Sequence, residues 1–424
     1  MSELLREKST AFLNFRGSAA YPFTQLIDVL CFIYVSILGI YVNDQSGSSS
    51  YASELIYLII PIGLAFINPI TFLVPVCVAF SAYILFARLS INALPADIPR
   101  SISEGRAMIM FITCICILAV DFPAVFPRTL AKSELFGYSL MDIGVGGITF
   151  VSAVNARISL AESNLPVRTY RAVVRSSPSL ILAATRLLSV RAADYYVSSS
   201  EYGVHWNFFL TAFAVSILMS VTPNNTSFVT DAVMAVAVSS VQQVLISFHH
   251  SIEWWFFYGD RAVSLWAANK EGIFSCLGYF SIHLLGRATK KYLNGSKSIV
   301  TVAALAWLIC GCFHYFGIRS CRRQANVVYV YFTVALTQSF IAISCYLAQL
   351  LPSKRSPSAL ARGINKQPLV YFLVANLLTG VVNQNVNTLN CSHISATIVL
   401  GIYVLALWLT ALAFDVFLPK LNTK

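Results

Sequence analysis

Apolar runs long enough to cross a ~30 Å hydrocarbon core recur along almost the whole chain, and they constrain its fold more than any other feature. In lipid a backbone must satisfy its own polar groups, which leaves α-helices or closed barrels. The ~10-residue alternating segments of a membrane barrel are absent. The chain therefore reads as all-α, a polytopic integral membrane protein forming a single transmembrane unit over 1–424. Composition agrees. Of 424 residues, 57% are hydrophobic and 11% charged, more apolar surface than a soluble domain can hide. Helix candidates fall at 22–43, 53–68, 70–88, 107–121, 138–154, 204–222, 229–248, 272–287, 297–317, 325–350, 367–385 and 394–418. A weaker, amphipathic candidate within 177–196 carries Arg186 and Arg191, so the expected number of spans is about 13 (12–13).

The net charge of +11 reads as loop orientation and contact with anionic lipid heads, not as nucleic-acid binding. The ten cysteines lie mostly in apolar runs and show no CxxC or Cys/His ligand spacing, so no metal site is expected. The opening MSELLREKSTAFLNF has no signal-peptide apolar core. Basic loops near 287–297 and 353–366 carry no acid and are separated by two helices, so both belong on the cytosolic side. Counting from them puts the C-terminus in the cytosol and places His205–Asn207 and Asn269–Glu271 near the lumen. If the weak helix spans, Asp121–Lys132 is luminal too, and so is the N-terminus. A single active site needs these clusters together, which favours thirteen spans. Arg319, Arg322 and Arg323 then fall on the luminal side, against the charge rule.

Three polar clusters stand out. In DFPAVFPRTLAKSELFGYSLMDIGVGG, Asp121 ends an apolar run and can take a proton from a hydroxyl. Lys132 can stabilise an oxyanion or hold a phosphate; an interfacial ion pair anchoring the loop is the plainer account of both. Gly144, Gly146 and Gly147 suit close helix packing. In EYGVHWNFF, His205 is a candidate base and Asn207 a donor, with an interfacial anchor as the alternative. In WAANKEGIFSCLGYF, Asn269, Lys270 and Glu271 either bind substrate or simply start a helix. No GxSxG, P-loop, GxGxxG or HExxH is present.

These clusters, in this order, together with VANLLTGVVNQNVNT, resemble the glycosylphosphatidylinositol (GPI) inositol acyltransferases, the family of the fungal GPI-anchored wall transfer protein and mammalian PIG-W. The resemblance spans the chain. It implies a multi-pass endoplasmic-reticulum enzyme that moves a fatty acyl group, typically palmitoyl, from acyl-CoA to the inositol ring of glucosaminyl-phosphatidylinositol. Acyl-CoA is then a co-substrate, no cofactor stays bound, and the partners are the two substrates and membrane lipids. It implies Asp121 and Lys132 as catalytic, with Arg128, Asp142, His205, Trp206, Asn207, Asn269, Lys270 and Glu271 lining the substrate site. The chain departs from the family pattern in reading DFPAVFPRTLAK, one residue longer than usual between Asp121 and Lys132, and in Lys270, where arginine is usual. From composition alone a secondary transporter is the main competitor, and a non-catalytic scaffold or receptor a second. Neither related halves nor acids deep within helices support transport.

Overall fold

The computed structural model describes residues 51–62, 98–156, 164–192, 199–223, 226–247, 250–292, 296–350 and 357–418. Every regular element among them is helical. In chain order they are α1 (Tyr51–Glu54, continued by a π-helical turn, Leu55–Ile59), α2 (Ile98–Ala119), a 3₁₀ turn (Arg128–Leu130), α3 (Leu140–Asn155), α4 (Leu165–Ala192) and α5 (Phe208–Val221). There follow α6 (Phe228–Ser247), α7 (His250–Tyr258), α8 (Leu265–Ala268), α9 (Lys270–Tyr292), α10 (Ser296–Tyr315), α11 (Val327–Leu350), α12 (Ala359–Lys366), α13 (Pro368–Asn385) and α14 (His393–Phe417). Four segments, Ile98–Ala119, Phe228–Ser247, Val327–Cys345 and His393–Phe417, are long and apolar enough to cross a membrane, and Leu140–Asn155, Phe208–Val221 and Ile299–Tyr315 are shorter apolar helices. The protein is thus an all-α polytopic membrane protein. The candidates at 22–43 and 70–88 lie outside the described residues, and that at 53–68 does so in part.

The amphipathic segment expected within 177–196 belongs to the longer α4, which runs antiparallel beside α5 along its length. Asn207, at the start of α5, donates to Ala183 O late in α4 (2.9 Å). At the other end Arg168 reaches Val221 O (3.4 Å) and Ser220 reaches Thr169 (3.3 Å). A helix of 28 residues is about 42 Å long. It therefore carries the chain from one end of the bundle back to the other, so loop 120–139 and loop 199–207 meet at the same end.

Helix α2 begins at Ile98, well before the expected residue 107, and its polar first turns are used inside the protein. Buried Glu104 accepts from Ser358 N (2.5 Å) and Oγ (2.8 Å), and buried Glu54 from Ala359 N (2.9 Å) and Leu360 N (2.8 Å). Two carboxylates thus take the orphan donors at the start of α12. Part of the basic loop expected at 353–366 is this short amphipathic helix, with Arg362 paired to Asp415 (2.7 Å).

Helix α3 sits at the centre, and its small residues set the spacing. A Cβ on Gly146 would lie 2.6 Å from Thr333 of α11, and one on Gly286 of α9 would lie 2.7 Å from Phe150 O of α3. The glycine-rich start of α3 therefore packs helices, as its sequence suggests.

Candidate functional site

The loop after α2 is held tightly although it carries two prolines. Phe122 and Phe126 are buried, and a helical turn closes between them (Phe126 N to Phe122 O, 3.0 Å). Ala124 stands exposed at the tip. Asp121 and Lys132 remain partly exposed on the rim. Asp121 Oδ2 accepts from Asn383 Nδ2 at the end of α13 (2.8 Å). Arg128, in the 3₁₀ turn, donates to Lys132 O (3.3 Å).

Past Lys132 the chain is fixed by Asp142. Its carboxylate accepts from Ser133 N (3.1 Å) and Ser133 Oγ (2.7 Å), while its own N–H is capped by Ser139 at the start of α3 (3.3 Å). The Lys132 ammonium sits 2.5 Å from Glu201 Oε1, in the loop before α5. That loop is stitched to the segment around α8: Val204 N donates to Ala268 O (2.9 Å), His205 N to Asn269 Oδ1 (2.8 Å) and Gly272 N to Tyr202 O (2.8 Å). The three polar clusters of the sequence therefore form one assembly at one end of the bundle.

Its centre is a pair of arginines from the loop between α10 and α11. Buried Arg322 lies between Asp142 (3.1 Å) and Glu201 (3.5 Å). The approach of its Nε to Asp142 is a charge contact without hydrogen-bond alignment. Burial opposes the Arg322 charge, but Glu201 and then Asp142 outweigh it and hold the guanidinium above the ordinary arginine value. Arg323 pairs with Glu271 (2.8 Å), which also takes a two-pronged bond from Arg261 (2.8 and 2.5 Å). Arg323 further stacks on Phe257 (5.2 Å) and donates to Glu134 O (3.3 Å). Around Arg322, burial pushes the Tyr202 phenol well up, and the Cys321 thiol up to about 11.

The expected site residues divide by what their polar atoms touch. Asp121, Lys132, Arg128 and His205 stand on the partly exposed rim, and His205 Nδ1 has no hydrogen-bond partner among the described residues. Asn207 caps α5, accepting from Phe209 N (3.1 Å) and Leu210 N (3.2 Å). Trp206 donates to Thr211 (2.9 Å) and packs so closely on Gly272 that a Cβ there would lie 2.3 Å from its ring. Asn269 ends α8 and spans to Leu265 O (2.9 Å). Lys270 is buried: its ammonium takes Trp255 O (2.7 Å) and Gly259 O (2.8 Å) and lies 5.0 Å from the Trp255 ring. It thus caps the C-terminus of α7, where a cation is favoured. Lys270→Met is expected to lower stability by about 1–3 kcal/mol, read as a drop in melting temperature in detergent, with Lys270→Arg near wild type.

Glu201, Arg322, Arg323, Arg261 and Asn383 were not singled out from the sequence. Glu201 and Asn383 lie inside segments that were. Arg322 and Arg323 gave a different signal, being basic residues on the wrong side for the charge rule. They are buried partners of acids, so they carry no orientation information.

Below the rim, an apolar cleft runs between α2, α3 and α11, lined by Met108, Ile112, Ile143, Leu336 and Phe340 with the hydroxyl-bearing Thr113 and Thr337. At 1.5 Å per residue, Ile112 lies about 13 Å and Met108 about 20 Å down α2 from Asp121.

Comparison with known proteins bears on this arrangement. The GWT1 family model matches residues 6–414. An uncharacterized protein of Arabidopsis thaliana is 34% identical over 72% of this chain and 71% of its own. GPI-anchored wall transfer protein 1 of Candida albicans is 30% identical, over 75% of each chain. The phosphatidylinositol-glycan biosynthesis class W protein of Dictyostelium discoideum is 29% identical over 74% of this chain and 73% of its own.

Proposed function

Because the chain belongs to the GWT1 family, whose members have a role in GPI biosynthesis, we propose that it is the acyltransferase of that route, moving a fatty acyl group from acyl-CoA to the inositol ring of glucosaminyl-phosphatidylinositol. The observation that carries this reading is the rim itself. A carboxylate and an ammonium, Asp121 and Lys132, stand partly exposed on one braced loop above an apolar cleft.

A thioester is already activated, so the task is alignment and charge stabilisation. Asp121 takes the proton of the inositol hydroxyl as its oxygen attacks the thioester carbonyl. Lys132 stabilises the oxyanion of the tetrahedral intermediate. Collapse expels the CoA thiolate, which recovers the proton, leaving an acyl-inositol ester. The acyl tail enters the cleft between α2, α3 and α11, where burial contributes about 0.8 kcal/mol per methylene. His205, on the same rim, is assigned to the sugar head group. The rim faces the endoplasmic-reticulum lumen in this proposal. Charges gathered at one end of the bundle fit a membrane-surface reaction better than a transporter, whose binding residues belong near the midplane.

The test is a membrane assay with labelled palmitoyl-CoA and glucosaminyl-phosphatidylinositol. Acyl-inositol lipid is expected from the wild type and none from Asp121→Asn at equal protein level. A wild type that makes no such lipid overturns the proposal.

A further inference from the structure

We propose that Glu201 and Arg322 are positioning residues that clamp Lys132 from both of its ends, so that it works as a fixed cation and not as a base. This rests on the acyltransferase reading. The contacts form a closed circuit. Arg322 touches Asp142; Asp142 grips Ser133 through both its peptide N–H and its hydroxyl; Ser133 follows Lys132 in the chain; the Lys132 ammonium pairs with Glu201; and Glu201 returns to Arg322. One guanidinium thereby fixes the main chain of Lys132 through Asp142 and its charged tip through Glu201.

Burial separates this circuit from an ordinary surface ion pair. Side-chain exposure falls from 27% at Lys132 to 17% at Glu201, 7% at Arg322 and 1% at Asp142. The outer end touches solvent while the inner end is rigid, as a preorganised donor requires. A pair at the wet end alone would swing freely and contribute little. The inner end is held by other elements. Tyr329 of α11 donates to Asp142 O (2.8 Å) and stacks edge-on against Tyr279 of α9 (6.1 Å). The alternation of sign, from Asp142 through Arg322 and Glu201 to Lys132, leaves each charge beside its opposite. Arg128 of its own loop holds the Lys132 carbonyl, and the Cys116 thiol of α2 also faces the ammonium.

Arg322 is also the member that lysine cannot replace. Its planar guanidinium reaches two carboxylates on different elements at once, whereas an ammonium is a point charge on a flexible stem.

The experiment compares the full-length wild type with Glu201→Gln, Glu201→Asp and Arg322→Lys in membranes. Two readouts are taken. One is kcat and KM for palmitoyl transfer. The other is the pH dependence of Lys132 modification by an amine-reactive ester, followed by mass spectrometry, which needs no acyl transfer. Glu201→Gln keeps the shape of the side chain and removes its charge. It is expected to lower kcat at least tenfold with KM for palmitoyl-CoA within about twofold. It should also speed Lys132 modification near neutral pH about tenfold, because losing an adjacent opposite charge favours the neutral amine. The alkaline limb of the rate profile moves to lower pH. Glu201→Asp recovers part of both, and Arg322→Lys resembles Glu201→Gln. Unchanged Lys132 modification in Glu201→Gln overturns the clamp, as does a changed modification with wild-type kcat. If modification shifts as expected but the wild type makes no acyl-inositol lipid, the clamp stands and the acyltransferase reading falls.

Discussion

Replacing Lys132 by Met is expected to slow acyl transfer by about 10²–10³-fold, with the KM for palmitoyl-CoA little changed. Methionine keeps most of the length and the apolar stem while removing the charge. The ammonium is proposed to act on an oxyanion present only in the transition state, so the loss falls on kcat. The fold should persist, because Glu201 keeps Arg322 as a partner when Lys132 is gone (3.5 Å). Lys132→Arg is not expected to restore the rate, since a planar fork cannot take the place of a compact ammonium 2.5 Å from one oxygen. Initial rates in membranes, normalised to the amount of chain, decide the matter. A Lys132→Met rate within about threefold of wild type would remove the residue from the chemistry.

Gly278→Val is expected to be severely damaging to the fold, costing about 3 kcal/mol or more. The reason is where α9 meets the arginine loop. A Cβ on Gly278 would lie 2.0 Å from the carbonyl oxygen of Ala325, and backbone cannot move aside as a side-chain tip can. Ala325 is itself the one non-glycine residue with positive φ (+47°) among those described, so the loop has already taken a sparsely populated conformation to fit there. It is fully buried, and it follows Arg322 and Arg323 closely in the chain. Thermal unfolding in detergent should therefore show a lower melting temperature and, in the surviving fraction, weakened transfer. Gly311 supplies the contrast: nothing lies within 4 Å of a Cβ there, so Gly311→Ala in the interior of α10 should be neutral or stabilise by about 0.5–1 kcal/mol.

Much of the site was legible in the residues because the chemistry is confined to short, polar interruptions of an apolar chain. Asp121 and Lys132 stand out for that reason. So do EYGVHWNFF and WAANKEG, which pair with each other through His205, Asn269, Tyr202 and Gly272. The division of labour within those segments was not legible. Asn207, Asn269 and Lys270 spend their hydrogen bonds on helix ends, and Asp142 on Ser133, yet in sequence they look as reactive as His205. Whether a polar side chain is spent or available depends on which carbonyls and amides fold against it, and those come from distant segments.

Amino-acid order alone determined the solvent, the helical class and the positions of most long helices, because burial in lipid is decided locally by the apolar length of each run. It also marked the loop that carries Asp121 and Lys132. Tertiary structure decided the rest. It showed that α4 runs back along α5 and so brings loop 120–139 to loop 199–207. It also turned Arg322 and Arg323 from misplaced loop charges into the buried centre of the site. The physical reason is that an ion pair is a relation between segments: Arg322 lies 180 residues beyond Asp142 in the chain and 3.1 Å from it in space.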